Sequence, residues 1–384
     1  MSVWDALVGQ GAIVDQLKRA AQEPRALTHA WLFTGPPGSG RSVAARAFAA
    51  ALECETGTGC GACNGCRTVL AGTHPDVRVL ATDKVSIPIA EVKELVAQAA
   101  AKPTVGRYRV VLVEDSDRMA ERTVNVLLKA IEEPAPQTIW LLCAPTARDV
   151  LPTIQSRCRT LVMRSPDVGS VTDLLVSEGA DPERAAAAAR AAQSHVGRAR
   201  WLAFDPDALR SRSQVFEAMA RNRSVPMAVV QAGALAELAK SEAAAAAEQS
   251  NAVAKAELNA ALGLAEGEAV PLKLRSHVRE LEENQKRRDR RGQRDVLHRY
   301  FVDLQSLFRD VLLTQLGVVG SLGAGELVNG DSRGSVTLIR MLATALTPGQ
   351  VLERISAIQL AERRIDQNVT VPLALEALFL ALRW

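Results

Sequence analysis

The stretch His29-Ala-Trp-Leu-Phe-Thr-Gly-Pro-Pro-Gly-Ser-Gly-Arg-Ser42 decides the fold. Its first half is a short apolar run of the kind that forms a buried strand. Its second half is a glycine-rich turn, and Ser42 to Leu52 beyond it reads as an Ala-rich helix. A strand, a Gly-x-x-x-x-Gly-Lys-Ser/Thr loop and a helix in that order make a phosphate cradle. The glycines let backbone N–H groups curl around an anion, and the helix N-terminus adds partial positive charge. Gly35, Gly38 and Gly40 supply the turn, and Ser42 stands where a Mg²⁺ ligand belongs. Arg41 stands where the pattern has lysine. A planar guanidinium does not fit a slot shaped for a compact ammonium charge.

Outward from this loop, strands and helices alternate. Arg109-Val-Val-Leu-Val-Glu-Asp115 has an apolar centre and an acidic end, as a buried parallel strand does. For hydrolysis such a strand ends Asp-Glu, with Asp near the metal and Glu against the attacking water. Here the order is Glu114-Asp115, which sets the shorter carboxylate at the water position, and the pair reads better as a solvated strand end. Thr138 to Ala144 is another buried strand and Val77 to Leu80 a short one. Ile89 to Ala101 and Ala120 to Ile131 are helices, limited by Pro103 and by Glu132-Glu133-Pro134. The alternation predicts a parallel sheet covered on both faces.

Between the loop and the next strand lies Cys54-x5-Cys60-x2-Cys63-x2-Cys66, with Gly57, Gly59, Gly61 and Gly65 among the thiols. Tetrahedral Zn²⁺ wants four short-range ligands, and Cys-x2-Cys supplies two from one turn. No coordination position is left open, so Cys54, Cys60, Cys63 and Cys66 are expected to hold a structural zinc, with an iron–sulfur cluster as the rival. Cys143 and Cys158 stand apart and read as packing residues.

The 384 residues suffice for two to four domains at roughly 100–200 residues each. Apolar residues are 48% and charged residues 23%, which excludes wholesale disorder. Aromatics are 4%, which argues against base stacking as the main binding mode. A net charge of +3 excludes a surface basic throughout. No apolar run reaches the roughly 18 residues of a membrane span, and Met1-Ser-Val-Trp-Asp lacks a signal-peptide pattern. The expectation is a cytoplasmic protein without a membrane partner.

Strand signals fade after Ser165. Val168 to about Ala232 reads as several short helices, and Ala234 to Leu264 is rich in strong helix formers. Lys273 to Arg294 carries nine Lys/Arg against four Asp/Glu, densest at Lys286-Arg-Arg-Asp-Arg-Arg291. Such a run serves as a salt-sensitive phosphate contact, though a solvated helix face is its more frequent meaning. Asp295 to Leu316 is an amphipathic helix, Gly317 to Gly334 a glycine-rich loop, and Ser335 to Trp384 two or three helices.

Four segments together resemble one family: Leu7-Val-Gly-Gln10 ahead of His29-Ala-Trp-Leu-Phe33, the phosphate loop followed by the cysteines, Leu127-Leu-Lys-Ala-Ile-Glu-Glu-Pro134, and Leu151-Pro-Thr-Ile-Gln-Ser-Arg-Cys158. They resemble bacterial clamp-loader subunits of the AAA+ class, and within that class the delta-prime branch of DNA polymerase III. The likeness covers about the first 160 residues. It implies that Arg157, in Ser-Arg-Cys, reaches the γ-phosphate bound by a neighbouring subunit, and that Val8-Gly9-Gln10 lines an adenine pocket. It also implies that Lys129 sits on a helix facing a central chamber, where a solvated face is the ordinary meaning of a single lysine. A polar first sensor is missing at Ala144-Pro145, with Thr146 one step off. At the second sensor, Ser194-His-Val-Gly-Arg198, glycine takes the arginine's place.

These readings predict an α/β RecA-like AAA+ domain over residues 1–165 with a zinc module at 54–66, a helical lid over 166–232, and an all-α collar over 233–384. Arg41 and the reversed Glu114-Asp115 count against bound ATP and Mg²⁺. The missing sensors, and the lack of a long extension after the third domain, favour delta-prime over tau. The resemblance implies a non-motor subunit in a hetero-pentamer with gamma/tau and delta subunits, which loads a sliding clamp on primer–template DNA. The alternatives are an active ATPase motor of gamma/tau type and a DNA-binding module acting through residues 286–291.

Overall fold

The computed structural model describes residues 2–82, 86–262, 275–318, 327–330 and 332–384, with the side chains of 249–262 and 275–291 left aside. The chain divides into two compact units, Met1–Asp205 and Pro206–Trp384.

The first unit is built on five strands: β1 (Ala30–Thr34), β2 (Val77–Leu80), β3 (Arg109–Val113), β4 (Thr138–Ala144) and β5 (Arg159–Val162). All pair in parallel, in the order β2-β3-β4-β1-β5. β1, β3 and β4 are buried along their whole length, as their unbroken apolar runs predict. The pleat sorts their side chains onto two cores. Trp31, Phe33, Val110, Leu112, Ile139 and Leu141 face one layer of helices. Leu32, Val111, Val113, Trp140 and Leu142 face the other. Each fully buried large side chain contributes about 1.5–3 kcal/mol of transfer free energy, so the sheet is a stiff frame for whatever its ends carry.

Six helices cover this sheet: α1 (Gly11–Gln22), α2 (Arg41–Leu52), α3 (Asn64–Leu70), α4 (Ile89–Ala99), α5 (Glu121–Glu132) and the single turn α6 (Pro152–Gln155). α2 and α5 begin and end within a residue or so of the predicted bounds. The sequence pattern does not predict β5. It is a four-residue edge strand in which only Leu161 is buried, so it carries too little apolar periodicity to announce itself. The unit is completed by α7 (Val168–Ser177), α8 (Pro182–Ala191) and α9 (Val196–Phe204). Asp167, Asp181 and His195 cap them, each accepting a backbone N–H three residues on.

The second unit is helical throughout its described residues: α10 (Ala208–Arg221), α11 (Val225–Leu262), α12 (Arg275–Gln315), α13 (Arg333–Ala345), α14 (Pro348–Asp366) and α15 (Val371–Leu382). The Ala-rich segment is therefore the continuation of a helix that begins at Val225. Phe301, Leu304, Phe308 and Phe379 centre one apolar core. Buried Asp310 accepts from the backbone N–H groups of Val328 and Asn329, and buried Asp303 pairs with Arg212 at 2.7 Å. The basic run 286–291 lies on α12 with its side chains outside the described residues, and most of the glycine-rich stretch 317–334 is outside them as well. No helix among the described residues is long and apolar enough to cross a membrane.

Candidate functional site

The phosphate loop forms as its spacing predicts. β1 ends at Thr34, and Gly38 and Gly40 take φ of +86° and +84°, a region open to glycine at little cost. That turns the backbone sharply into α2, whose N-terminus faces the C-terminal edge of the sheet. Gly38 answers a second demand: a Cβ there would stand 2.9 Å from the ring of His195 at the start of α9. Gln10 spans the same region, donating to the carbonyls of Arg164 at 2.5 Å and Ser39 at 3.3 Å. Val8, the proposed adenine contact, is half-buried two residues before it.

The charged groups of this edge are engaged with one another. Arg41 Nη1 donates back to the Gly35 carbonyl at 2.7 Å, within its own loop, and Nη2 lies 3.9 Å from Asp115. Arg46, one turn into α2, donates to Glu114 at 2.9 Å. Asp115 sits in left-handed backbone at φ +54°. So Gly35, Gly38, Gly40, Arg41, Ser42, Glu114 and Asp115 are brought together at one sheet edge, and the cation and the first acid are already spent locally. Cys143 lies at the same edge beside Ser42, fully buried, and burial pushes its thiol up to about 12. It is a packing residue, as its sequence context suggests. Thr146, one step past the expected sensor position, turns its hydroxyl to Asp149 at 2.8 Å. Arg198 is buried near the start of α9.

Arg157 lies elsewhere. β5 runs parallel to β1, with Trp31 opposite Arg159. The turn that precedes β5 is therefore at the N-terminal edge of the sheet, opposite the phosphate loop. Arg157 is exposed there. Its Nη1 donates to the Thr153 carbonyl at 2.8 Å, and its Nη2 lies 2.6 Å from Glu132 at the end of α5. Lys129 is exposed one turn earlier on that helix.

The four clustered cysteines converge. All four Sγ atoms lie within 4.8 Å of one another, with Cys54–Cys60 at 3.8 Å and Cys54–Cys63 at 3.9 Å. A tetrahedron of four sulfurs about 2.3 Å from a zinc ion has edges of about 3.8 Å. The backbone N–H groups of Cys60, Cys63 and Cys66 each donate to the preceding cysteine's sulfur at 3.4 Å. Such donors favour thiolates. Against the effect of burial, bonds from Thr56 and Cys60 lower the Cys54 thiol to about 5. The donor set fits a closed four-sulfur metal site. The N-terminal residues are strapped to it: Val3 N–H donates to the Gly59 carbonyl at 3.0 Å and Trp4 Nε1 to Thr58 at 2.9 Å. Glu53, raised to about 7 by burial, accepts from the N–H groups of Arg107 and Tyr108 and so ties the module to the entry of β3.

Arg46, Glu132 and the His195 contact were not foreseen from the sequence. Arg46 and Glu114 are 68 positions apart and no local pattern joins them. The Glu132–Arg157 pair is visible only as two motifs read separately.

Residues 9–167 match the family described as DNA polymerase III, delta subunit. Within it, the chain is 38% identical over 154 residues to subunit delta' of DNA polymerase III from Pseudomonas aeruginosa, covering 39% of this chain and 46% of that one. Over this region the chain is similar to delta-prime and tau/gamma clamp-loader subunits. The tau/gamma subunit of Haemophilus influenzae is 33% identical over 174 residues, covering 44% of this chain and 25% of that one. The chain thus spans less than half the length of the curated relatives it matches. Among solved structures, a gamma-subunit-related protein from Thermotoga maritima covers 96% of the chain at 15% identity with a TM-score of 0.44. The shared region holds the phosphate loop, the cysteine cluster and Arg157.

Proposed function

We propose that this chain is a non-hydrolysing, delta-prime-like subunit of a clamp loader and that it supplies Arg157 in trans to the nucleotide site of a neighbouring tau/gamma-type subunit. One observation carries the reading. The two edges of the sheet are unequally equipped: the phosphate-loop edge has its cation turned onto its own loop and its acid tied to Arg46, while the opposite edge presents an exposed arginine. An arginine on the edge away from its own loop cannot serve that loop. It serves a subunit docked head to tail, which is the geometry of a heterologous ring or arc.

The remaining parts follow from that role. Cys54, Cys60, Cys63 and Cys66 hold a structural Zn²⁺, which supplies a cross-link and no reaction step. A lid ends near Asp205, where the chain divides, and not at 232 as expected, a position inside α11; the helical residues from Pro206 on act as a collar gathering delta and tau/gamma subunits in a cytoplasmic hetero-pentamer. The assembly spends the neighbour's ATP to open a sliding clamp and place it on primer–template DNA. The test is ATP turnover by the chain alone and in the complete assembly. No turnover alone, with turnover in the assembly lost on Arg157→Ala while the assembly stays intact, supports the reading; unchanged turnover in the assembly sinks it.

A further inference from the structure

Glu132 makes the shortest contact that Arg157 has among the described residues. α5 and α6 pack through Leu127, Ile131 and Ile154, all fully buried, so the end of α5 and the turn after α6 are held at a fixed separation. That packing sets the Glu132 carboxylate 2.6 Å from Arg157 Nη2, both side chains about two-fifths exposed. Glu132 is also the last residue of its helix. A carboxylate there opposes the helix dipole, which favours cations at a C-terminus. The position is a poor one for an acid unless a cation stands beside it, and Arg157 does. Arg157 Nη1 is held independently, by the Thr153 carbonyl at 2.8 Å and the Ser156 hydroxyl at 3.2 Å.

We propose that Glu132 is a positioning residue that holds Arg157 in cis and competes with the neighbour's nucleotide for it. The proposal rests on the reading of Arg157 as a trans donor. While paired, the guanidinium is neutralised and folded against its own subunit. A bound triphosphate at the interface brings more negative charge in a site with less water and takes the arginine over. An exposed ion pair is weak, so the exchange is cheap and the latch shifts a population without blocking it. The fraction of Arg157 free to engage scales the apparent affinity for nucleotide. Removing the carboxylate should therefore act on KM and leave kcat nearly alone, because Thr153 and Ser156 still orient the side chain.

The experiment is ATP hydrolysis as a function of ATP concentration in the complete assembly carrying Glu132→Gln, Glu133→Gln, Arg157→Ala or the Glu132→Gln/Arg157→Ala pair. Glu133 is the exposed neighbour and controls for loss of charge alone. Expected is a KM lowered about two- to fivefold by Glu132→Gln, with kcat within about twofold. Glu133→Gln should leave KM in place, and the double variant should match Arg157→Ala. An unchanged or raised KM for Glu132→Gln, or an equal shift from Glu133→Gln, overturns the latch while a collapse with Arg157→Ala keeps the trans donor. Wild-type turnover by Arg157→Ala overturns both.

Discussion

Arg41 and Arg157 stand at opposite ends of one pair of parallel strands, Arg41 beyond the end of β1 and Arg157 before the start of β5. Both are arginines read toward phosphate, Arg41 from its loop and Arg157 by the proposed trans role, and their surroundings separate them. The Arg41 side chain is 17% exposed and closes a hydrogen bond on its own loop; that of Arg157 is 38% exposed and is held by the Glu132 carboxylate at a helix end, the Thr153 carbonyl and the Ser156 hydroxyl. The first arrangement satisfies a cation internally and makes a binding loop self-sufficient. The second keeps a more exposed cation at the rim, where its ion pair with Glu132 is open to solvent and weak. The comparison teaches that a phosphate motif is judged by what its charged groups already touch, more than by its glycines, which here adopt the expected turn in full.

Removing the rim arginine should have the largest effect. Arg157→Ala in the complete assembly should lower the rate at the neighbour's site by about 10³–10⁵-fold, the usual range for a trans arginine. Steady-state turnover bounds the fall from below, and single-turnover measurements on the affected interface give its size. A loss of less than tenfold would put Arg157 among ordinary surface arginines.

Metal removal comes next. Metal analysis should find about one zinc per chain. Chelation at neutral pH should cost the first unit several kcal/mol, since binding and folding free energy are one quantity in a closed thiolate site. The strap at Val3 and Trp4 should be released with it. Amide exchange would show protection lost at residues 2–7 and 54–66 and retained around Arg157. Absence of zinc refutes the assignment; loss of protection spreading to β5 means the module supports the rim as well as the loop.

A smaller effect separates stability from chemistry. Asp76 is fully buried. Burial alone would raise its carboxyl, but the N–H groups of Gly106, Val105 and Thr104 and the charge of Arg109 hold it at about 2, against 3.8 unperturbed. A depressed folded value stabilises above the unfolded value and loses that stabilisation as pH falls through the folded one. The contribution is about 2 kcal/mol, complete above about pH 4 and fading toward pH 2. In urea denaturation, Asp76→Asn should trail the wild type by about that much at pH 7, and the gap should close on acidification. The Arg157 effect in the assembly should persist in this background. If it vanishes, the rim depends on the loop 104–106 in a way the fold does not suggest.

Much of this was legible in the sequence because the motifs are local. A strand, a glycine turn and a helix within 24 residues, and four cysteines within 13, set their own geometry, and the structure forms both where the spacing puts them. β5 was not legible, because a short edge strand with one buried residue has no periodicity to read. Nor were the partners of the loop's charges fully legible. The sequence shows Arg41 and Glu114 as departures from a pattern, but Arg41 folds back onto Gly35 in its own loop, and Glu114 meets Arg46, 68 positions away, only through the sheet. The helical half announced its helices and little else, since amphipathic periodicity names a buried face without naming what covers it.

The smallest expected effect is the sharpest test of the comparison. Arg41→Ala removes a hydrogen bond to Gly35 and a 3.9 Å approach to Asp115, neither of which reaches another subunit's site. Turnover by the assembly should change by less than about twofold, because losing a partly exposed ion pair and a local bond costs only about 1 kcal/mol of local stability. Arg41→Lys restores the ordinary residue of the motif and should still give no turnover by the chain alone. Glu114 remains tied to Arg46, and Asp115 remains the shorter acid at the water position. Turnover by the isolated wild-type chain, abolished by Arg41→Ala, would reverse the reading: the loop edge would then be the working one, the chain a motor, and the internal hydrogen bond of Arg41 a resting state that nucleotide displaces.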